Sequence, residues 1–320
     1  MSSKVGFIGL GIMGQRMLAA VQAHPEFNIG HVWDLAPAAV ANVTGRYPQS
    51  TPATSAASLI SSPEVDVVYI ATPPATHLDY VLQALAAGKA IFCEKPLATD
   101  LTRAREIVAR VQAAGVVNAI NFPFGQALHV QTLYRLLQAG QAGAIDRIEM
   151  RFHFPQWPRT WQMGAASWLA GRVEGGFTRE VVSHFIYLTL RLLGPMQIDN
   201  ARVGYPADLT LTENRLSARL TAAGVPVYIQ GGVGGQAPDF NEWCLYGQQR
   251  SFRIQDWGRL QQSDGGPWQD LPPDTTPSGR GQETLSALAA QLRGEPAYLP
   301  TLAEGLAVQE IVEGLLAKSN

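Results

Sequence analysis

Lys4-Val-Gly-Phe-Ile-Gly9-Leu-Gly11-Ile-Met-Gly14 is an apolar run closed by three glycines spaced G-x-G-x-x-G. The run reads as a short buried strand over 4–10. Helical spacing follows over 12–23, where Ile12, Leu18, Ala19 and Val21 are apolar. Between a strand and a helix the glycines have separate tasks. Gly9 allows a tight turn, Gly11 lets the backbone approach a pyrophosphate, and Gly14 lets helix and strand pack closely. The helix start, with Ile12 and Met13 in its first turn, offers N–H groups and a partial positive charge to an anion. A glycine turn with no ligand is the plain alternative. The strand before, the helix after and an acid further on favour a nucleotide. That acid is Asp34, 20 residues after Gly14, at the end of a second strand over 27–33. A carboxylate there accepts hydrogen bonds from ribose hydroxyls. It would repel a 2′-phosphate, and residues 35–41 hold no Arg or Lys to bind one. NAD is therefore favoured over NADP.

The alternation continues outward. Residues 65–71 are a third apolar run, stopped by Pro73-Pro74. Helical spacing at Leu78, Val81, Leu82 and Leu85 ends at Gly88, and a strand follows at 89–93. Thr99 or Asp100 can cap the next helix, whose stripe is Leu101, Ile107, Val108 and Val111. Gly115 closes it before a strand at 116–122. Strands alternating with helices at this pace imply βαβ units and a parallel sheet. The rhythm changes after about residue 122. A helical stretch at 127–137 leads to an alternating strand at 145–154, then an aromatic loop and an apolar helix at 177–193 ended by Gly194-Pro195. Strand candidates at 196–204, 210–221, 225–233, 241–247 and 250–256 suggest a mostly antiparallel sheet. Residues 263–279 read as a Gly/Pro/Asp-rich loop, and helices near 281–293 and 301–318 follow. The expected fold is an α/β Rossmann domain with a parallel doubly wound sheet at 1–122. An α+β domain with a large, mostly antiparallel open sheet is expected at 123–320.

Composition narrows the function classes. Of 320 residues 46% are hydrophobic and 16% charged, enough apolar material for two cores. A net charge of −2 gives no electrostatic reason to expect nucleic acid or an anionic membrane. No apolar run reaches the ~20 residues of a membrane span. Met1-Ser-Ser-Lys4 leads into a strand without the apolar region of a secretion signal. Cys93 and Cys244 are too few for a disulfide framework or a cysteine zinc site, so no metal is expected. A cytoplasmic protein with a small-molecule substrate is the simplest expectation.

Two further motifs carry the chemistry. Ala71-Thr-Pro-Pro-Ala-Thr-His77 follows the third strand, and Glu94-Lys95-Pro96 follows the strand at 89–93. Loops at the carboxyl ends of parallel strands form the crevice of an open α/β sheet. Thr72, Pro73, Pro74, His77, Glu94, Lys95 and, at the last strand end, Asn121 all fall there. Lys95 is a donor whose partial desolvation favours proton transfer. Its alternative is a solvated surface lysine, which the neighbouring Pro96 makes less free to wander. His77 either opens the helix at 78–87 or touches a cofactor. Cys93 reads as a small buried strand residue.

The two motifs in this order resemble the Gfo/Idh/MocA oxidoreductases (glucose–fructose oxidoreductase, inositol dehydrogenase and relatives). The resemblance runs from the glycine turn through Gly175-Gly176 and His184 to the C-terminal helix. It implies that the threonine-proline turn borders the nicotinamide side of the cofactor. It also implies that Lys95 reaches the substrate hydroxyl and the nicotinamide ribose. In the family a glycine run is followed by an aspartate and, four residues later, a histidine. Here Glu180 and His184 stand in those places, with Val182 where the family usually has glycine. Four apart on a helix, they share one face, and two titratable groups on so apolar a helix need a cavity or partners. His184 carries over as the acid/base. Glu180, one methylene longer than aspartate, is left to orient His184, contact substrate or pair with Arg179. A buried ion pair that shapes the helix is the alternative.

The segment Gln156-Trp-Pro-Arg159-Thr-Trp161-Gln162, with Trp168, is a candidate wall for the substrate, and Arg159 could hold a carboxylate or sugar hydroxyl. The expected activity is hydride transfer between a nicotinamide and a secondary alcohol or ketone of a sugar, cyclitol or related polyol. Two alternatives stay open: a nucleotide-sensing regulator on the same fold, and a β-hydroxyacid dehydrogenase-type enzyme with an all-helical second domain. An open sheet exposes a broad face, so a homodimer or homotetramer is expected.

Overall fold

A computed structural model describes residues 2–273, 279 and 281–318. The chain divides into two compact units, Met1–Gln126 with Pro277–Ala307, and Ala127–Thr276 with Val308–Asn320.

The first unit is built on six parallel strands: β1 (Ser3–Ile8), β2 (Phe27–Trp33), β3 (Thr51–Pro52), β4 (Val67–Ile70), β5 (Ala90–Cys93) and β6 (Asn118–Ile120). Their spatial order is β3-β2-β1-β4-β5-β6, with every pairing parallel. The central strands are apolar runs because both faces are covered. β4 and β5 are buried at every position. Helices Ile12–Ala23, Pro37–Arg46, Ala56–Ser61, His77–Ala86 and Leu101–Ala114 lie between the strands in sequence. Asp100 caps the last of these by accepting from Arg103 N at 3.1 Å, and Gly115 closes it with φ +65°.

The register sets the site. Ile8 pairs with Ile70, Ile70 with Cys93, and Cys93 with Ile120. The chain therefore leaves β1, β4, β5 and β6 at one level, and the residues just past the ends continue the ladder. Ala71 N donates to Ile8 O, Glu94 N to Ile70 O, Asn121 N to Cys93 O, and Gly9 N to Trp33 O.

The expected second domain ran unbroken from 123 to 320. The first unit instead takes residues back late in the chain. In helix Gln282–Leu292, Leu285, Leu288 and Ala289 join one core cluster with Leu18, Val21 and Phe27. Gln282 Nε2 donates to Ala20 O at 2.9 Å. At the free edge of β6, Ile120 N donates to Pro300 O and Leu302 N to Asn118 Oδ1. The returning segment thus fills the core and pairs an edge that would otherwise be open.

The second unit holds eight strands: β7 (Ile145–Phe154), β8 (Met196–Gly204), β9 (Arg215–Ala222), β10 (Val225–Val233), β11 (Phe240–Gly247), β12 (Ser251–Gln255), β13 (Arg259–Ser263) and β14 (Gln269–Asp270). Their order is β14-β13-β12-β11-β7-β10-β9-β8. β10 and β7 run parallel, and the remaining pairs are antiparallel. β13 and β14 are additional to the strands read from sequence. β14 lies in the expected 263–279 loop, part of which falls outside the described residues. This sheet is incompatible with the all-helical second domain of a β-hydroxyacid dehydrogenase-type enzyme.

Alternation divides the sheet's faces. On β7, Ile148, Met150, Phe152 and Phe154 are buried. That side packs on helix Ser183–Leu193, with the Phe152 and Phe185 rings 5.1 Å apart and Trp243 Nε1 donating to Thr189 Oγ1 at 2.9 Å. The other side carries charge. Glu242, buried, accepts from Arg151 Nε at 3.0 Å and Gln255 Nε2 at 2.7 Å. No described helix is long and apolar enough to cross a membrane.

Candidate active site

In the first unit the sequence-predicted residues stand side by side along the carboxyl ends of the strands. The three glycines differ in what surrounds them. Gly9 has φ +94°, and a Cβ on it would lie 2.5 Å from Ala71 O. A Cβ on Gly14 would lie 2.2 Å from Gly9 O. Both are fixed by the protein's own packing. Gly11 differs, because a Cβ there would meet no described atom within 4 Å. It precedes helix Ile12–Ala23, which has no side-chain cap and no acid in its first turn. A side chain at Gly11 would thus enter open space, and the first turn after it carries no acid of its own. That combination fits the pyrophosphate of a dinucleotide.

Asp34 is tied to the same turn. Its Oδ2 accepts from Leu10 N at 2.7 Å and its Oδ1 from Ala36 N at 2.8 Å. The two backbone bonds hold the carboxylate at the end of β2, beside the glycine loop.

The threonine-proline turn and the Glu94-Lys95-Pro96 segment are joined by His77. Its Nε2 lies 2.8 Å from Thr72 O and its Nδ1 2.9 Å from Pro96 O. The ring is 1% exposed, and burial pushes it down to about 4, against the opposing pull of those carbonyls. The sequence left His77 between opening a helix and touching a cofactor. It does open helix His77–Ala86, and each ring nitrogen lies within hydrogen-bond distance of a backbone carbonyl, to one of which the neutral ring donates. Thr76 Oγ1 further donates to Thr72 Oγ1 at 2.8 Å. Pro73 precedes, and Pro74 begins, the short turn that bears these residues.

Glu94, which precedes the lysine, is 4% exposed. Its Oε1 accepts from Asn121 Nδ2 at 2.6 Å and from the Tyr69 hydroxyl. Burial and the nearby carboxylate push the Tyr69 hydroxyl well above its ordinary range, so it stays a donor. Asn121 thus braces Glu94. Tyr69 was not singled out from sequence, since one tyrosine in an apolar strand carries no local mark of its partner. Lys95 is half-buried, between the braced Glu94 and the His77-bound Pro96. Cys93 is fully buried, and burial raises its thiol well above the usual range, as suits an inert strand residue.

In the second unit Glu180 and His184 are 8% and 6% exposed and lie one turn apart. Glu180 falls in a wide turn over Thr178–Val182, and His184 in the helix Ser183–Leu193 that continues it. The turn rests on Gly175-Gly176. A Cβ on Gly175 would sit 2.1 Å from Leu169 O, and one on Gly176 (φ +109°) 2.3 Å from Thr212 Oγ1. Glu213, 2% exposed, accepts from Thr178 N at 2.8 Å and from the Thr212 hydroxyl. Sequence reasoning missed Glu213, whose partners are distant in the chain. Arg179 is held by Glu313 through two bonds of 2.7 and 2.8 Å and donates to Arg172 O and Gly175 O.

The His184 ring meets Trp257 edge-to-face, with centroids 5.2 Å apart. Trp257 also escaped the sequence reading, because a tryptophan in a hairpin turn resembles any exposed loop aromatic. Arg159 stacks near Trp161 at 4.9 Å and Trp157 at 5.6 Å, and its Nε donates to Gln162 Oε1 at 3.0 Å. Trp161 is half exposed. Trp168 lies on the short helix Ala166–Leu169, and Leu169 O accepts from Trp157 Nε1 at 3.1 Å. Trp157 also packs edge-to-face on Phe154 and Phe177, with ring centroids 5.2 and 6.4 Å away.

Residues 3–122 match the model of the Gfo/Idh/MocA group, described as an oxidoreductase family with an NAD-binding Rossmann fold. An inositol 2-dehydrogenase of Rhizobium meliloti is 26% identical over 194 residues, which is 61% of this chain and 56% of that protein. The chain thus spans about half the length, or less, of the curated relatives it first matches. Two solved structures align almost throughout. The WlbA dehydrogenase from Bordetella pertussis, in complex with NADH and UDP-GlcNAcA, has a TM-score of 0.84 at 19% identity, covering 99% of this chain and 96% of that one. KijD10, a 3-ketoreductase from Actinomadura kijaniata in complex with NADP and TDP-benzene, has a TM-score of 0.83 at 20% identity, covering 100% and 98%. At these identities the likeness establishes the fold.

Proposed function

We propose that the chain, whose residues 3–122 match the Gfo/Idh/MocA oxidoreductase family model, is an enzyme of that family and interconverts a secondary alcohol and a ketone on a sugar, cyclitol or related polyol. The observation that carries the reading is the single row of strand ends at which the glycine turn, Asp34, Thr72, Glu94, Lys95 and Asn121 are held at one level by β-register.

Gly9, Gly11, Ile12, Met13 and Gly14 would hold the pyrophosphate of a nicotinamide dinucleotide, and Asp34 its ribose. Thr72, Pro73 and Pro74 would border the nicotinamide, with His77 and Asn121 supporting from below. When bound, the nicotinamide supplies the hydride acceptor or donor. NAD is the proposed form, since the Asp34 carboxylate opposes a 2′-phosphate and no cation lies within 35–41. The protein's part is orientation, which supplies much of an enzyme's rate. His184 takes or returns the hydroxyl proton. Lys95 polarises the same oxygen or relays its proton, and Glu180 positions the histidine. Arg159, Trp161 and Trp168 line the approach for substrate.

The nucleotide belongs to the first unit. The second unit contributes substrate contacts and, through the charged face of its open sheet, the surface for a homodimer or homotetramer. The proposed compartment is the cytoplasm.

Replacing Lys95 with Ala tests the reading. NADH affinity, read by fluorescence titration, should stay within about threefold, while turnover across a polyol and sugar panel falls by at least ~1000-fold. Unchanged turnover would remove the assignment. A wild-type protein that binds NADH yet turns over nothing on the panel would favour the nucleotide-sensing regulator instead.

A further inference from the structure

The hairpin between β12 and β13 turns on Asp256 and Trp257, with φ of +48° and +69°. Gln255 pairs with Arg259 across a three-residue connection, and Gly258 N donates to Gln255 O at 3.2 Å, so Asp256 and Trp257 are the two central residues of a β-turn. Central positions with φ > 0 ordinarily take Asn, Asp or Gly, since a Cβ is crowded in left-handed backbone. A bulky aromatic there is an outlier, and strained backbone of this kind collects at functional positions. The surrounding fold enforces it. Trp257 N donates to Asn241 Oδ1 at 3.0 Å, and Asp256 N to Asn241 O at 3.1 Å. Asn241 is itself buried.

The turn brings the indole against two rings. Its centroid is 5.2 Å from that of His184, with the planes at 84°, and 5.5 Å from Phe185 at 45°. Rotation about the last torsion of a histidine is soft, yet an acid/base must keep one nitrogen aimed at its hydroxyl. An edge-to-face aromatic contact supplies such a restraint.

We infer that Trp257 is a positioning residue: its indole, fixed by a left-handed hairpin, sets the orientation of the His184 imidazole. The inference rests on the reading of His184 as the acid/base. A cap over Phe185 would be the merely structural role, and any apolar side chain would serve for it.

The discriminating variants are Trp257→Phe, which keeps an aromatic ring, Trp257→Leu, which keeps an apolar cap, and Trp257→Gly, which relieves the backbone and deletes the ring. With myo-inositol, or the panel polyol turned over fastest, Trp257→Leu and Trp257→Gly should each lower kcat by about 10- to 100-fold. The KM for the nicotinamide should change by less than about twofold, and Trp257→Phe should return kcat to within about fivefold of wild type. Leu equal to Phe would overturn the inference. His184→Asn separates the two readings. If that variant is inactive while Trp257→Gly keeps wild-type kcat, positioning fails and the acid/base stands. If His184→Asn keeps full turnover, both fall. The second readout needs no turnover. In 13C-histidine-labelled protein, the His184 Cε1–H resonance, assigned by its loss in His184→Asn, should shift and broaden in Trp257→Gly. A resonance unchanged in position and width would overturn the inference on its own.

Discussion

The glycine turns at Gly11 and at Gly176 each stand before a helical segment, and the protein completes them in opposite ways. At Gly11 an added Cβ would enter open space, and the helix Ile12–Ala23 receives neither a capping side chain nor an acid. At Gly176 an added Cβ would strike Thr212 and Glu213, and the Glu213 carboxylate already accepts from Thr178 N. A helix start has N–H groups to satisfy in either case. One turn is furnished with its own buried anion and belongs to the fold. The other lacks such a group and is the turn proposed above for the cofactor's phosphates. Glycine spacing alone does not separate the two; what lies opposite the glycine does.

The contrast can be broken most sharply at Gly11. Gly11→Val should fold normally, because nothing is within 4 Å of the new Cβ, and lose NADH affinity by at least ~1000-fold, about 4 kcal/mol. Calorimetric titration that found wild-type affinity would end the comparison. Next in size is a pH effect. The His77 ring, held at about 4 by burial against an ordinary 6.5, gives stability that is complete above about pH 6.5. That stability is lost as pH falls through 6.5 toward 4, to a limit of about 3 kcal/mol. His129 in the second unit is likewise pushed by burial to about 4, so both units weaken toward acid. His77→Gln should flatten only the first unit's share, and a melting profile against pH identical to wild type would count against it. Glu213→Ala should cost about 2 kcal/mol by leaving buried donors unsatisfied, seen as a lower Tm with NADH affinity unchanged. A matching loss of affinity would mean that the second turn is not purely structural. The smallest effect is expected at Asp34. Asp34→Ser should move the NAD-to-NADP preference about tenfold toward NADP, about 1.4 kcal/mol, measured as a ratio of dissociation constants.

Much of the first unit was legible because its signals are local. The glycine turn, the Asp100 cap, the Gly115 stop and the two motifs on strand ends each lie within a few residues of what they control. The alternation of β7 was equally plain. What stayed hidden depends on distant partners. Tyr69 and Asn121 meet at Glu94 only through the β4-β5-β6 register. Glu213 reaches Thr178 across 35 positions. β13 reads Arg-Leu-Gln-Gln-Ser, with Leu260 its one apolar residue, so no alternating pattern announces a strand. Helix 282–292 has an apolar stripe that says it packs, though nothing local says into which core.

The late return of that helix has a consequence for synthesis on the ribosome. Leu285, Leu288 and Ala289 complete a core whose other members include Leu18, Val21 and Phe27. At about 5–20 residues per second, the nascent nucleotide-binding half waits on the order of ten seconds or more for its last pieces. A stop codon anywhere before position 282 would cripple the very part of the protein already made.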